Sequence, residues 1–154
     1  MTESPLKKAS KSSKKARSTA ARLCAVQAVY QALQLKVAPD TLLEEYIQHR
    51  VGMELDGSEM VQPDGVLFTD LLKGVTARWN DLQQLITPRL KSATVEPLIT
   101  AILVCGAYEL LTHHDLDAPI IISDYLHVTH GFFEGFESKL VNGVLDALAK
   151  ELRS

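Results

Sequence analysis

The segment "SKLVNGVLDALAK", residues 138–150, decides between two fold classes. Its Asn142-Gly143 pair is a strong short-range signal for a β-hairpin turn, which would divide the segment into two strands. The apolar residues around the pair recur every three or four positions, as on one face of an α-helix: Leu140, Val141, Val144, Leu145, Leu148 and Leu152. Because a period sustained over a long window outweighs a dipeptide, we predict a helix with a glycine in its interior.

Helical spacing also recurs along the rest of the chain. We predict further helices over 16–35, from a cap at Asp40 or Thr41, from about Asp64, from Trp79 to Pro88, and through Asp124 to Val128. The stretch 94–112 is apolar around most of its circumference, which predicts the central helix. Only "APIIIS", 118–123, resembles a strand, and it has no partner. The predicted fold class is therefore all-α.

Three of the predicted helices contain an internal glycine, at Gly74, Gly106 and Gly143. Each costs about 1 kcal/mol relative to alanine, so three together suggest that helix backbones approach closely at these points. Asn142 lies beside the apolar stripe of the last helix. We expect its amide to be buried or half-buried and to bond to carbonyls of the preceding loop.

Charge is distributed unevenly along the 154 residues. The net charge is -3, but residues 1–22 carry seven Lys and Arg residues against Glu3 alone, so positive charge is concentrated at one end. Residues 1–15 have almost no apolar content and are predicted to be a disordered basic tail, followed by one helical domain over 16–154. A basic arm on an acidic body suggests a polyanionic partner such as nucleic acid, although a solvated solubility tail has the same composition.

The sequence offers little support for a membrane protein, an enzyme or a metal site. No apolar run is long enough to span a bilayer and no signal peptide is recognisable, so we expect a soluble, cytoplasmic protein. Cys24 and Cys105 stand singly in helical patterns and are predicted to be buried thiols. No catalytic or phosphate-binding motif is present and no cofactor is expected. One metal-like grouping occurs, but its spacing fixes no third ligand, and we predict no metal site: His113, His114, Asp115, His127 and His130.

An aromatic loop precedes the last helix. The sequence "GFFEGF", 131–136, places Phe132, Phe133 and Phe136 between glycines and shortly before Lys139. Exposed aromatic rings beside a cation are typical of surfaces on which unpaired bases stack. The alternative is that the phenylalanines fill the core where two helices meet.

Four segments together resemble the NusB family of transcription antitermination proteins. They are "ARLCAVQAVYQ" at 21–31, "FTDLLKGV" at 68–75, "GAYELL" at 106–111 and "KLVNGVLDALA" at 139–149. They occur in the family's order and roughly at its spacing. The resemblance implies about seven helices in two small packed bundles and no enzymatic activity.

The same resemblance implies partners and contact residues. NusB proteins bind the boxA element of ribosomal RNA leader transcripts together with the ribosomal protein NusE, alongside other Nus factors and RNA polymerase. Tyr30 falls where the family meets NusE, and Arg22 and Lys139 fall at its RNA-contacting ends. With the basic arm and the aromatic loop, the predicted RNA-binding residues are Lys14, Lys15, Arg17, Arg22, Phe132, Phe133, Phe136 and Lys139.

Two departures from the family pattern concern the RNA contacts. The family often has an arginine run before the first helix, whereas this chain reads "RSTAAR" at 17–22, so bidentate phosphate contacts are fewer. Leu140 also stands where relatives often carry an aromatic residue. An alternative function is therefore a helical interaction protein, a homodimer or a NusE adaptor, with little RNA affinity. The NusB-like domain of ribosomal RNA cytosine methyltransferases is disfavoured because no cofactor-binding α/β domain is present.

Overall fold

A computed structural model describes residues 13–51, 61–91 and 94–153, which form seven α-helices and contain no β-strand. The helices are α1 Lys14–Leu35, α2 Leu43–Tyr46, α3 Gly65–Ala77, α4 Trp79–Ile86, α5 Pro97–Thr112, α6 Ala118–His130 and α7 Glu137–Leu152. Two 3-10 turns, Pro39–Leu42 and Thr87–Leu90, and one π-helical segment, Ile47–Val51, connect them. The predicted all-α class is confirmed.

Helix α5 is the centre of the molecule, as its all-round apolar surface predicts. Every residue from 101 to 110 is buried. Helices α1 and α3 pack against each other and against α5, and α6 and α7 likewise pack against each other and against α5, with α4 also in contact with it. The fold is therefore two small bundles that share one central helix.

Three helix starts differ from the sequence prediction. Helix α1 begins at Lys14, because the Ser13 side chain accepts a hydrogen bond from the backbone N–H of Ala16 at 3.0 Å and caps the first turn. Residues 13–15 thus belong to the helical domain, whereas 1–12 lie outside the described residues. Asp40 and Thr41 cap no α-helix but lie inside the first 3-10 turn, and α2 begins at Leu43. The strand-like segment 118–123 is the start of α6, where proline is tolerated in the first turn.

The internal glycines lie in different environments. At Gly74 on α3, an added Cβ would overlap the Tyr108 ring of α5, and at Gly106 on α5 it would lie 3.0 Å from the Leu145 methyl groups of α7. Close approach therefore accounts for these two. It is wrong for Gly143, where an added Cβ meets nothing within 4 Å. The prediction of a buried Asn142 amide is also wrong, because Asn142 is exposed.

Candidate functional site

The first turn of α1 presents positive charge to solvent. Lys14, Lys15 and Arg17 are all exposed. The Nε atom of Arg17 donates to the Gln62 carbonyl at 3.3 Å, and the Asp64 N–H donates to the Arg17 carbonyl at 3.1 Å. These bonds fix the chain before α3 against the start of α1. The end of α1 that was expected to bind phosphate therefore has a fixed conformation with exposed cations.

Arg22 lies elsewhere than the sequence predicts. It is 4% exposed, and its Nε and Nη2 atoms donate to the two carboxylate oxygens of Glu109 at 2.6 and 2.7 Å. Its Nη1 atom donates to Asp124 at 2.7 Å. The guanidinium therefore joins α1 to α5 and α6 inside the protein. This burial contradicts the expected RNA contact at Arg22 and makes it a residue that positions α1.

Further polar side chains extend this pair into an ion cluster that reaches from the core to the partly exposed Asp70. Glu109 also accepts hydrogen bonds from the Tyr125 hydroxyl at 2.5 Å and from His113 at 2.9 Å. The other ring nitrogen of His113 lies 2.6 Å from an Asp70 oxygen on α3. We define the ion cluster by its charged members: Arg22, Asp70, Glu109, His113 and Asp124. It connects α1, α3, α5 and α6.

Electrostatics favour the charged forms of three members of the ion cluster, Arg22, Glu109 and His113. Burial raises the pKa of the Glu109 carboxyl, but hydrogen bonds from Arg22 and His113 outweigh it and lower the pKa to about 2. Burial lowers the pKa of the Arg22 guanidinium, but the hydrogen bond to Glu109 and its charge raise the pKa above the ordinary value. The hydrogen bond to Glu109 likewise raises the pKa of His113, despite partial burial. Arg22 and Glu109 therefore both stay charged inside the protein, each because of the other.

Sequence reasoning missed the ion cluster, although one signal for it was present. Glu109 is the one charged residue among the ten buried positions 101–110 of α5. A carboxylate surrounded by apolar side chains needs a buried cation, because an uncompensated charge inside a protein is costly. Arg22, which lies in an equally apolar stretch of α1, is the cation that pairs with this carboxylate.

The aromatic loop divides the three predicted phenylalanines. Phe136 is 69% exposed and Phe132 is 37% exposed, whereas Phe133 is half-buried and packs against the core. Gly135 has a φ of +129°, a conformation that side-chain-bearing residues rarely adopt. Phe136 immediately precedes α7, and Lys139 is exposed in the first turn of that helix. The loop therefore offers two rings and a cation, while the third ring anchors it.

A second exposed apolar area lies on α1. Leu23 and Tyr30 are 37% and 38% exposed and are two helical turns apart, so they share one face. Tyr30 is the predicted partner-binding residue, and Leu23 was not predicted. We call this pair the α1 face.

The thiols and histidines form no metal cluster in the described part of the chain. Cys105 is buried as predicted, whereas Cys24 is only partly buried. Among the residues that the structure describes, no three His, Cys, Asp or Glu side chains are grouped to hold a metal ion. No described helix is long and apolar enough to cross a membrane.

Comparison with known proteins identifies the family. Residues 19–150 match the profile described as the NusB family. The chain belongs to the NusB family. It is 43% identical over 138 residues to the transcription antitermination protein NusB of Novosphingobium aromaticivorans, which is 87% of this chain and 93% of that protein. Identity to the protein of the same name from Caulobacter vibrioides is 34% over 137 residues, covering 86% of this chain and 92% of that protein.

A solved NusB structure has the same fold. The chain matches T. maritima NusB with a TM-score of 0.73 and 19% sequence identity, over 92% of this chain and 94% of that one. Three of the four NusB-like segments meet in the ion cluster, since 21–31 contains Arg22, 68–75 contains Asp70 and 106–111 contains Glu109.

Proposed function

We propose that this chain is an RNA-binding transcription antitermination factor. It binds the boxA element of ribosomal RNA leader transcripts together with the ribosomal protein NusE, and acts with other Nus factors on RNA polymerase. The observation that carries the proposal is membership of the NusB family across residues 19–150, with curated relatives named transcription antitermination protein NusB.

The RNA-contacting residues in this proposal are those that remain accessible. Lys14, Lys15 and Arg17 on α1, and Lys139 on α7, are exposed cations that would contact phosphates. Phe132 and Phe136 have exposed rings on which unpaired bases would stack. Arg22 and Phe133 support the surface from inside the protein without touching RNA.

The partner surface in this proposal is the α1 face. Large apolar side chains exposed together on one helix face are typical of protein interfaces. Leu23 and Tyr30 supply such a patch on the same helix whose first turn carries Lys14 and Lys15. NusE bound there would therefore lie next to the RNA.

Fluorescence anisotropy with labelled boxA RNA tests the proposal. The titration is run with and without NusE, against a scrambled RNA, at two salt concentrations. We expect preferential binding to boxA that tightens when NusE is present. Equal or absent binding to both RNAs, even with NusE, would contradict the RNA-binding function.

Two matched pairs of variants test the contact residues. Replacing Lys14 and Lys15 by Gln should weaken RNA binding. A plot of the logarithm of the binding constant against the logarithm of the salt concentration (the log-log salt slope) should also become less steep, by about 0.7 for each phosphate that is no longer neutralised. Replacing Lys73 on α3 and Lys150 on α7 by Gln, both at exposed positions, removes the same number of charges and is the control. Phe136→Ala should weaken binding by about 1 to 3 kcal/mol at an unchanged slope. Val66→Ala, where the side chain is 83% exposed, is its control.

One observation favours a second candidate function. Because Arg22 is occupied in the ion cluster, the accessible surface has one cation fewer than the sequence suggests. A homodimer or NusE adaptor with little RNA affinity would use the α1 face alone. Titration of boxA RNA with the protein alone distinguishes the two: an RNA-binding factor should bind boxA without NusE, whereas an adaptor should not. Tyr30→Ala should abolish NusE binding or dimerisation in either case.

A further inference from the structure

A groove runs between the start of α1 and the second half of α6. Its volume is about 590 Å³, and its lining includes Lys15, Ala16, Ala20, Ser123, His127 and Gly131. We propose that this α1–α6 groove takes one unpaired nucleotide of a bound single-stranded RNA, with His127 in contact with its base. The inference rests on the proposed RNA-binding function and goes beyond it by naming a nucleotide site.

The shape of the groove follows from small side chains on α1. Ala16 and Ala20 are one helical turn apart and both line the groove, so the two helices leave open space where larger residues would close it. Leu23 and Val128 add apolar surface to the lining. The volume lies within the range of small-molecule pockets, and flat apolar walls suit the face of a base.

Hydrogen-bonding side chains line the α6 wall of the groove. Ser123 and His127 are both exposed and are four residues apart, so they lie on one face of the helix. An imidazole can stack on a base or bond to its edge, and a serine hydroxyl can donate or accept. This wall therefore suits the polar edge of a base.

Charge in the groove is arranged for an anionic ligand. Lys15 lines the groove and is exposed, so its ammonium group can reach a phosphate. Asp124 is the carboxylate of the lining, and both its oxygens are already engaged, one by Thr19 at 2.6 Å and the other by Arg22 at 2.7 Å. The Arg22 guanidinium, which is shared between Asp124 and Glu109, offsets part of the carboxylate charge, and Lys15 is the cation of the lining that faces a phosphate.

The groove also connects the two parts of the proposed RNA surface. One end is lined by Ser13 and Lys15 at the start of α1, and the other by Gly131, where the loop carrying Phe132 and Phe136 begins. An RNA strand that contacts both the α1 lysines and the exposed phenylalanines would therefore pass along the groove. One nucleotide along that path would occupy it.

Filling the groove tests the inference. Ala20→Leu places a larger side chain in the lining, and His127→Ala removes the proposed base contact while leaving the helix surface intact. The matched controls are Ala77→Leu and His114→Ala, which make the same changes at exposed positions that do not line the groove. Thermal melting confirms that each variant is folded, and binding of labelled boxA RNA with NusE is measured at two salt concentrations.

We expect Ala20→Leu and His127→Ala to weaken binding about fivefold to a hundredfold without changing the salt slope, because the base is displaced while the phosphates stay bound. The controls should bind like the unmodified protein. If both groove variants bind RNA with unchanged affinity, the proposed nucleotide site is wrong, whereas the proposed RNA-binding function still stands. Weakening with a flatter salt slope would also overturn the nucleotide site, because phosphates and not a base would be affected. Failure of the unmodified protein to bind any RNA would overturn both the groove and the proposed function.

Discussion

At the residue scale, two glycines inside helices show how much the surroundings of a residue matter. Gly74 lies under the ring of Tyr108, whose hydroxyl donates to Asp70 at 2.9 Å. Gly143 is exposed on α7 and has open space where a side chain would be. The same substitution should therefore have opposite effects on stability at the two positions.

We expect Gly74→Ala to lower the free energy of unfolding by about 1 to 3 kcal/mol, because the Tyr108 ring must move and the core is overpacked. Gly143→Ala should raise it by about 0.5 to 1 kcal/mol, because alanine favours the helix. Urea denaturation followed by circular dichroism measures both. A destabilised Gly143→Ala would show that this face of α7 is packed against something.

Arg22 gives a second prediction at this scale. Arg22→Met leaves Glu109 and Asp124 buried without their cation, so the free energy of unfolding should fall by about 3 to 5 kcal/mol. The milder Arg22→Lys keeps the charge and should retain more of the stability. Salt titrations of RNA binding, done where the variants are folded, should give the slope of the unmodified protein. A slope reduced by about 0.7 would mean that Arg22 does contact a phosphate.

Within the candidate site, the sequence was least successful at predicting which side chains are buried and which are exposed. The type of residue 22 suggested a phosphate contact, yet its partners lie 87 and 102 residues away. The apolar stretches around Arg22 and Glu109 indicate only that each charge needs a partner, and do not say which residue it is. The exposures of Phe132, Phe133 and Phe136 depend on how the loop packs, so their order could not be inferred from "GFFEGF". Lys14, Lys15 and Lys139 are exposed as a basic surface requires.

At the element scale, His113 contributes one of the polar contacts that hold α3 against α5. Its two ring nitrogens face carboxylate oxygens, at 2.9 Å from Glu109 and 2.6 Å from Asp70. A neutral imidazole has one N–H and can donate to only one of them, whereas the imidazolium donates to both. The bridge that His113 forms between Glu109 and Asp70 is therefore complete only when His113 is protonated.

A pH dependence of stability follows. The hydrogen bond to Glu109 raises the pKa of His113 above 6.5, so its stabilising contribution is fully present below about pH 6.5 and is lost as the pH rises through the raised pKa. We expect a loss of about 1 kcal/mol, a modest value because Asp70 is partly exposed. Urea denaturation at pH values below and above 6.5 measures this loss of stability. The variant His113→Gln should no longer show the pH dependence. A His114→Gln control should keep it, and equal pH profiles for all three proteins would contradict the assignment.

Elements were predicted well where periodicity is long and poorly where it is short. Helices α1, α5 and α7 follow from many apolar residues at regular spacing. Residues 39–51 were predicted to form one helix, but they form a 3-10 turn, the single turn of α2 and a π-helical segment. Local capping residues could not distinguish these, since four or five residues provide too few positions to define a period. The β-branched run at 120–122 was overruled by packing of α6 against α7.

At the scale of the whole molecule, the basic end of the chain is predicted to extend the RNA surface. Residues 1–12 lie outside the described residues and carry Lys7, Lys8 and Lys11 against Glu3. Because Ser13 caps α1, we expect removal of 1–12 to leave the folded domain and its cap in place. The contribution of the tail can therefore be measured separately from the fold.

We expect deletion of residues 1–12 to weaken boxA binding and to reduce the log-log salt slope by about 0.7 for each phosphate that the tail had neutralised. The melting temperature should not change. A full-length variant with the three tail lysines replaced by Gln should behave in the same way, because charge and not chain length is responsible. An unchanged slope in both proteins would show that the tail does not touch RNA.

The ion cluster also has a consequence for the order of folding events. Arg22 pairs with carboxylates 87 and 102 residues further along the chain, so these contacts close very large loops. Contacts of such high separation form slowly compared with single helices. Because a charge buried without its partner is unfavourable, we expect the core to close around Arg22 only when α1, α5 and α6 are all in register. The ion cluster would thus disfavour compact folding intermediates in which the helices are misaligned, because Arg22 would be buried in them without its carboxylate partners.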